Sequence, residues 1–254
     1  MTEQVKIIAT TGKGGVGKTS LSAAFVRILS DKYPDRRILA IDADPAVGLS
    51  TALGVEVGIT LDDIRKGIVS SVENGRNREA VEMLGEARFR VLDALTEKDG
   101  FSFIAIGRPE SAGCYCKVNA YLKEIIELIT KDFDYVVIDG EAGIEQINRR
   151  VMEKVSHLVL VSDGSRKGIQ VIGTIKNVAD SLVMYDEYGI VINRIPAGLA
   201  NDFPGVDSEK LLAVIPDDPV QTKNDMVGES VFSLADNSPL MEGARKALSR
   251  LGII

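Results

Sequence analysis

The stretch Thr10-Thr11-Gly12-Lys13-Gly14-Gly15-Val16-Gly17-Lys18-Thr19 decides the fold, and the rest of the chain is read outward from it. A short apolar run (5–10) precedes it. After it, Leu21, Phe25, Ile28 and Leu29 fall at i, i+4, i+7 and i+8, one face of a helix. The stretch satisfies G-x-x-x-x-G-K-[ST]. Glycines let the backbone curl so that successive N–H groups converge on phosphate oxygens, and the helix behind adds its positive end. Gly12, Lys13, Gly14, Gly15, Val16, Gly17, Lys18, Thr19 and Ser20 are the expected nucleotide contacts, with Lys18 on the β- and γ-phosphates and the Thr19 hydroxyl on Mg²⁺. Gly12 to Gly17 also satisfies G-x-G-x-x-G, and Asp42 follows where a dinucleotide-binding turn would place its ribose ligand. Lys18-Thr19 would be gratuitous in such a turn, and Val136-Val137-Ile138-Asp139 supplies the strand-borne carboxylate that a phosphate loop needs. The phosphate-loop reading is therefore preferred.

Further apolar runs lie at 37–42, 89–92, 101–106, 135–139, 158–162, 188–193 and 211–215, several of them continuous rather than alternating. Strands covered on both faces read this way. Helical patterns at 120–129, 144–155, 167–183 and 241–251 separate them. The alternation predicts one doubly wound α/β domain over 1–254, a mostly parallel sheet with helices on both faces and ligands at the C-terminal strand ends. Residues 54–100 are the least legible and are expected to hold short helices and a hairpin-like excursion.

Composition narrows the function. The 254 residues carry 30 basic and 37 acidic side chains, a net charge of −7, which argues against non-specific binding to nucleic acid or anionic lipid. A 45% hydrophobic and 26% charged chain is of ordinary globular type. No apolar run reaches the roughly 20 residues of a bilayer span, and residues 2–6 do not open a signal peptide, so a cytoplasmic protein is expected.

Candidate chemistry gathers at strand ends. Asp42 and Asp44, at i and i+2, leave the second strand toward the phosphates. In-line attack needs a held water and cations on the developing charge; Asp42 is read as organising Mg²⁺ waters, with capping of the next turn as the alternative for either residue, chiefly for Asp42. Asp139 is read as a Mg²⁺ ligand. Asn193 can donate and accept toward a purine edge, or serve as a strand-end turn residue. The guanine motif N-K-x-D is missing after it. Cys114 and Cys116 share one loop. A disulfide between them would be strained, and two thiolates fill half of a tetrahedral site. A two-fold dimer would supply four. Thiolates accept Zn²⁺, Ni²⁺ and Cu⁺ alike. His157, at a strand start, reads as structural.

Lys13 within Lys13-Gly14-Gly15-Val16-Gly17-Lys18-Thr19 resembles the deviant Walker A of the MinD/nitrogenase-iron-protein/arsenical-pump superfamily. The resemblance implies an ATP-binding dimer in which Lys13 reaches the partner's nucleotide; a solvated loop lysine is the plainer alternative. It assigns the water to Asp44, the adenine edge to Asn193, and the loop closing over the base to Pro216 and Asp217. The order G-K-G-G-V-G-K-T (12–19), D-A-D-P (42–45), G-C-Y-C (113–116) and D-G-E-A-G-I-E (139–145) is similar to carbon monoxide dehydrogenase maturation ATPases of the CooC type. That similarity implies ATP/ADP and Mg²⁺ as cofactors, Ni²⁺ or Zn²⁺ shared by Cys114 and Cys116 across a homodimer, and a nickel enzyme or acetyl-CoA synthase complex as client. Glu141 departs from the wider superfamily. Two other classes compete. One is a positioning ATPase, for which Ala244, Leu248, Leu251 and Ile254 could form a membrane-facing stripe, or else pack on the sheet. The other is an iron–sulfur reductase, which takes its cysteines from two separate loops.

Overall fold

The computed structural model describes residues 4–107, 116–141, 151, 153–196, 198–199 and 202–254. Strand β1 (Lys6–Gly12) runs into the phosphate loop and helix α1 (Lys18–Lys32). Then follow β2 (Ile38–Asp42), α2 (Gly48–Leu53), α3 (Leu61–Glu73), α4 (Asn77–Asp93), β3 (Thr96–Lys98) and β4 (Phe101–Ala105). The chain continues through α5 (Cys116–Thr130), β5 (Tyr135–Asp139), β6 (Lys154–Ser162) and α6 (Arg166–Leu182). It ends with β7 (Met184–Ile195), β8 (Leu211–Pro216), α7 (Pro219–Val227) and α8 (Pro239–Arg250).

Among the described residues the strands form one sheet in the order β3-β4-β2-β5-β1-β6-β7-β8. Every pairing is parallel except β3 with β4. The continuous apolar runs have their explanation here. Ile8, Ala40, Val137, Val159 and Val161 face a core built with α1, α2 and α8. Their neighbours Ala9, Ile41, Ile138, Leu158 and Leu160 face a second core with α3, α4, α5 and α6. With both faces covered, the middle of each strand is apolar on both sides, and most of the buried polar residues, Thr10, Asp42, Asp139 and Ser162 among them, fall at the C-terminal ends where the site is.

Two expectations are corrected. The run 89–92 is the last turn of α4, not a strand. Ala80, Ala87, Val91 and Ala94 are buried at helical spacing, while Phe89 is 68% exposed, so a 3.6-residue period overrides the β-branched look of the segment. The pattern 144–155 cannot be one helix to its end, because Lys154 and Val155 open β6; residues 142–150 and 152 lie outside the described residues. The expected hairpin is present as β3–β4, turning at Asp99-Gly100 with Gly100 at φ 88°. The helices of 54–100 are longer than expected. Thr60 and Asp63 form a capping box, Thr60 Oγ1 accepting from Asp63 N while Thr60 N donates to Asp63 Oδ2, and this fixes the start of α3.

The C-terminal stripe packs inward. Ala244, Leu248 and Leu251 are buried against α1 and β8, and Ile254 is partly buried against the same core. Among the described residues, no helix is long and apolar enough to cross a membrane. His157 is a sheet residue whose Nδ1 shares a 2.8 Å hydrogen bond with Ser156 Oγ; burial depresses its pKa.

Candidate nucleotide site

The site sits where β1 parts from its two neighbours, β5 and β6, at their C-terminal ends. Gly12 is held at φ 154°, and a Cβ there would collide with the Val161 carbonyl, so this turn admits only glycine. Gly17 precedes α1 at φ 86° and offers no side-chain cap, and the first turn of α1 contains no acid. The free N–H groups of that turn are left for an anion.

A cavity of about 580 Å³ opens above the loop, lined by Gly14, Gly15, Gly17, Lys18, Thr19 and Ser20 and walled by Asp44 and Glu141. Lys18 Nζ donates to Lys13 O at 3.1 Å, folded back along the loop. Burial lowers its pKa, opposed by the charges of Asp139, Asp44 and Glu141. Asp139 is fully buried. Its Oδ1 accepts from Ser22 Oγ at 3.0 Å and Thr10 Oγ1 at 3.3 Å, and its Oδ2 has no hydrogen-bond partner. Desolvation pushes the Asp139 pKa up to about 6. A buried carboxylate oxygen without a partner, under a phosphate loop and near Thr19, is what a hard cation with oxygen ligands requires. The residues present therefore fit Mg²⁺.

Asp42 and Asp44 divide their work differently from each other. Asp42 is buried, with Oδ1 accepting from Asp44 N at 3.1 Å and Oδ2 from Leu49 N at 2.8 Å. Desolvation, then the Asp139 charge beside it, pushes its pKa up to about 7. Both its oxygens are taken by the backbone of the segment leading into α2, so the turn-capping alternative describes Asp42 in this state. Asp44 is half-buried, accepts from Ala46 N at 2.9 Å through Oδ1, and faces the cavity.

Lys13 lies in an ion pair with Asp163 at 2.8 Å within its own chain. Asp163 is in turn held by Ser165, the N-cap of α6. Asn193 is buried and its Nδ2 donates to Val16 O at 2.9 Å, so its amide braces the phosphate loop. Asn193, Pro216 and Asp217 line a second, small cavity of about 20 Å³ beside Ser20. Arg194 lines both cavities. Cys114 lies outside the described residues. Cys116 is the first residue of α5, and among the described residues no group of three or more His, Cys, Asp or Glu is placed to hold a metal.

Sequence reading missed several contributors. Ser22 lies one helical turn after Lys18, a polar residue on a buried face, and that mismatch was its signal. Asn224, Asp225, Gly228 and Glu229 line the cavity from α7 and its end, with no motif to mark them.

Residues 7–231 match the CobQ/CobB/MinD/ParA nucleotide binding domain family. An uncharacterised ATP-binding protein of Methanocaldococcus jannaschii is 32% identical over 249 residues, covering 96% of this chain and 98% of that one. The carbon monoxide dehydrogenase accessory protein CooC of Rhodospirillum rubrum is 30% identical over 253 residues, covering 90% of each. Among solved structures, the cell division ATPase MinD of Pyrococcus furiosus superposes with a TM-score of 0.67 at 24% identity, covering 97% of this chain and 98% of that one. The chain belongs to the CobQ/CobB/MinD/ParA family of nucleotide-binding proteins, built on its P-loop fold.

Proposed function

We propose that the protein is a Mg²⁺-dependent ATPase that dimerises on ATP and serves as a maturation factor for a carbon monoxide dehydrogenase-type metalloenzyme. The observation that carries the ATPase reading is the meeting of Lys18, Thr19 and Asp44 on one cavity, with the Asp139 carboxylate buried behind them against Ser22 of α1. The loop N–H groups and Lys18 bind the β- and γ-phosphates. Thr19 and Asp139 hold Mg²⁺, which supplies charge neutralisation for the phosphates. Asp44 orients the water in line with the leaving oxygen. Lys13 adds positive charge where it develops in the partner's site. In the single chain that lysine is bound to Asp163, so dimerisation exchanges one ion pair for another contact.

Two things support the maturation role: the likeness to the CooC accessory protein over most of both chains, and the Cys114/Cys116 pair. Four thiolates from two chains would hold one Ni²⁺ or Zn²⁺ as cargo for the client. The test is anaerobic metal analysis with and without ATP, alongside oligomeric state. One metal per dimer, lost in a Cys114→Ser, Cys116→Ser variant that still binds ATP, is expected. One metal per chain, or unchanged metal in the variant, removes the cargo role.

A MinD-type positioning role is the second reading, favoured by the structural likeness to MinD. The burial of Ala244, Leu248 and Leu251 counts against a membrane-facing C-terminal helix. Sedimentation with anionic liposomes, with and without ATP, separates the two.

A further inference from the structure

Gln221 lies in the first turn of α7, 7% exposed, and lines the small cavity beside Asn193 and Pro216. Its Nε2 donates to Asp225 Oδ1 at 2.6 Å. Its Oε1 is a buried acceptor with no hydrogen-bond partner. Native proteins seldom leave such an atom unpaired, because its desolvation is not repaid. Asn193, the residue that the resemblance nominates for the base, commits one of its two amide N–H groups to Val16 O.

The amide of Gln221 is held in one orientation. An ionised carboxylate can only accept, so the edge of the amide facing Asp225 must be the NH₂ edge. Asp225 is itself held on its other oxygen by Arg194 Nη2 at 3.4 Å, while Arg194 Nη1 donates to Gly15 O at 2.9 Å. Arg194 adopts φ 58°, a left-handed conformation that non-glycine residues enter only when their surroundings impose it. A continuous series of contacts therefore runs from the phosphate loop through Arg194 and Asp225 to Gln221. It leaves the Gln221 carbonyl as the acceptor. Arg194 lines both this cavity and the larger one, and the small cavity must open further to admit a base.

Resting on the ATP reading above, we propose that Gln221, locked by Asp225, is the residue that selects a 6-aminopurine nucleotide over a 6-oxopurine one. An exocyclic amine donates to the free carbonyl. A 6-oxo group would set two acceptors face to face at a buried amide, and a site built to receive a hydrogen bond rejects the analogue that cannot give it. Asp225 acts through Gln221 and is a positioning residue.

The test is equilibrium binding of ATP and of GTP, each with Mg²⁺, to the full chain by calorimetry. Wild type should bind ATP at least about tenfold more tightly than GTP, the scale of one well-made hydrogen bond. Gln221→Ala should weaken ATP about tenfold and leave GTP unchanged. In Asp225→Asn the new amide can donate as well as accept, so Gln221 is free to turn; GTP should tighten as ATP weakens, narrowing the ratio several-fold. A purely structural role for either residue would move both nucleotides together. An ATP-to-GTP ratio unchanged in both variants overturns the inference while leaving the ATP site standing. A wild type that binds neither nucleotide overturns the ATP reading and this inference with it.

Discussion

The two ends of the nucleotide site are built in opposite ways. At the phosphate end the cradle is open and preformed: a cavity of about 580 Å³, a helix start with no cap of its own, a buried carboxylate with a spare oxygen. At the base end the cavity is about 20 Å³, and Asn193 and Arg194 are already tied to the phosphate loop. The difference teaches where binding energy arises. Phosphates meet a glycine loop and an uncapped helix start already in place, with only Lys18 to swing away from Lys13 O, so this end carries affinity. The base must open its own seat, so this end carries discrimination at the cost of reorganisation.

That contrast can be broken at the phosphate end first. Lys18→Ala removes charge-assisted hydrogen bonds worth about 3 kcal/mol, so ATP affinity should fall about 100-fold by calorimetry with the fold intact by circular dichroism. A loss of only a few-fold would mean that the cradle does not carry the affinity. Gly12→Ala should cost about 3 kcal/mol of unfolding free energy, because its Cβ meets the Val161 carbonyl; Gly14→Ala, with nothing within 4 Å, should cost far less. Equal urea midpoints for the two variants would contradict the account of the turn.

The two buried carboxylates sharpen the comparison through pH. Asp42 and Asp139 carry pKa values raised to about 7 and about 6, above the ordinary 3.8. These two groups therefore bind more protons in the folded protein than in the unfolded chain between about pH 4 and pH 7, an excess that His157, its pKa depressed by burial from the ordinary 6.5, offsets in part. Their contribution to stability is complete below about pH 4 and is lost as pH rises through 6 and 7. Asp63 and Asp134, whose pKa values are lowered by hydrogen bonds, act with the opposite sign but below pH 4. Urea unfolding of the nucleotide-free protein should thus show a falling midpoint from pH 5 to pH 8, and a flat or rising one would contradict the burial argument. The smallest effect belongs to the base end. Asn193→Ala removes one hydrogen bond to the loop, so ATP affinity should fall about tenfold or less. A loss as large as that of Lys18→Ala would erase the distinction between the two ends.

The legible parts of this chain are those where chemistry demands a residue type at a fixed spacing. The phosphate loop, the strand-tip positions of Asp44 and Asp139, and the parallel strands are readable because glycine turns, strand-tip carboxylates and continuous apolar runs have few other uses. Residues 89–92 misled because Phe89, Val91 and Leu92 suit a strand by propensity, and only the burial of Ala87 and Ala94 on the same face reveals the helix. Thr60 and Asp63 did carry a readable capping signal. Arg194, Gln221 and Asp225 carried none. Gln221 and Asp225 are an i, i+4 pair on α7, and Arg194 reaches Asp225 only because β7 and α7 come together in space, which no local spacing records. Asp42 shows the same limit in milder form: its place was legible, but its two backbone partners were not.

The most direct test of the central claim is steady-state ATP hydrolysis by the full chain, with and without Mg²⁺, in wild type and Asp44→Asn. The account predicts slow, Mg²⁺-dependent turnover in wild type. It predicts that Asp44→Asn loses about 100-fold or more in kcat, within the range by which positioned acid–base groups act, while still binding ATP. Equal turnover in the two proteins, or turnover indifferent to Mg²⁺, would contradict it.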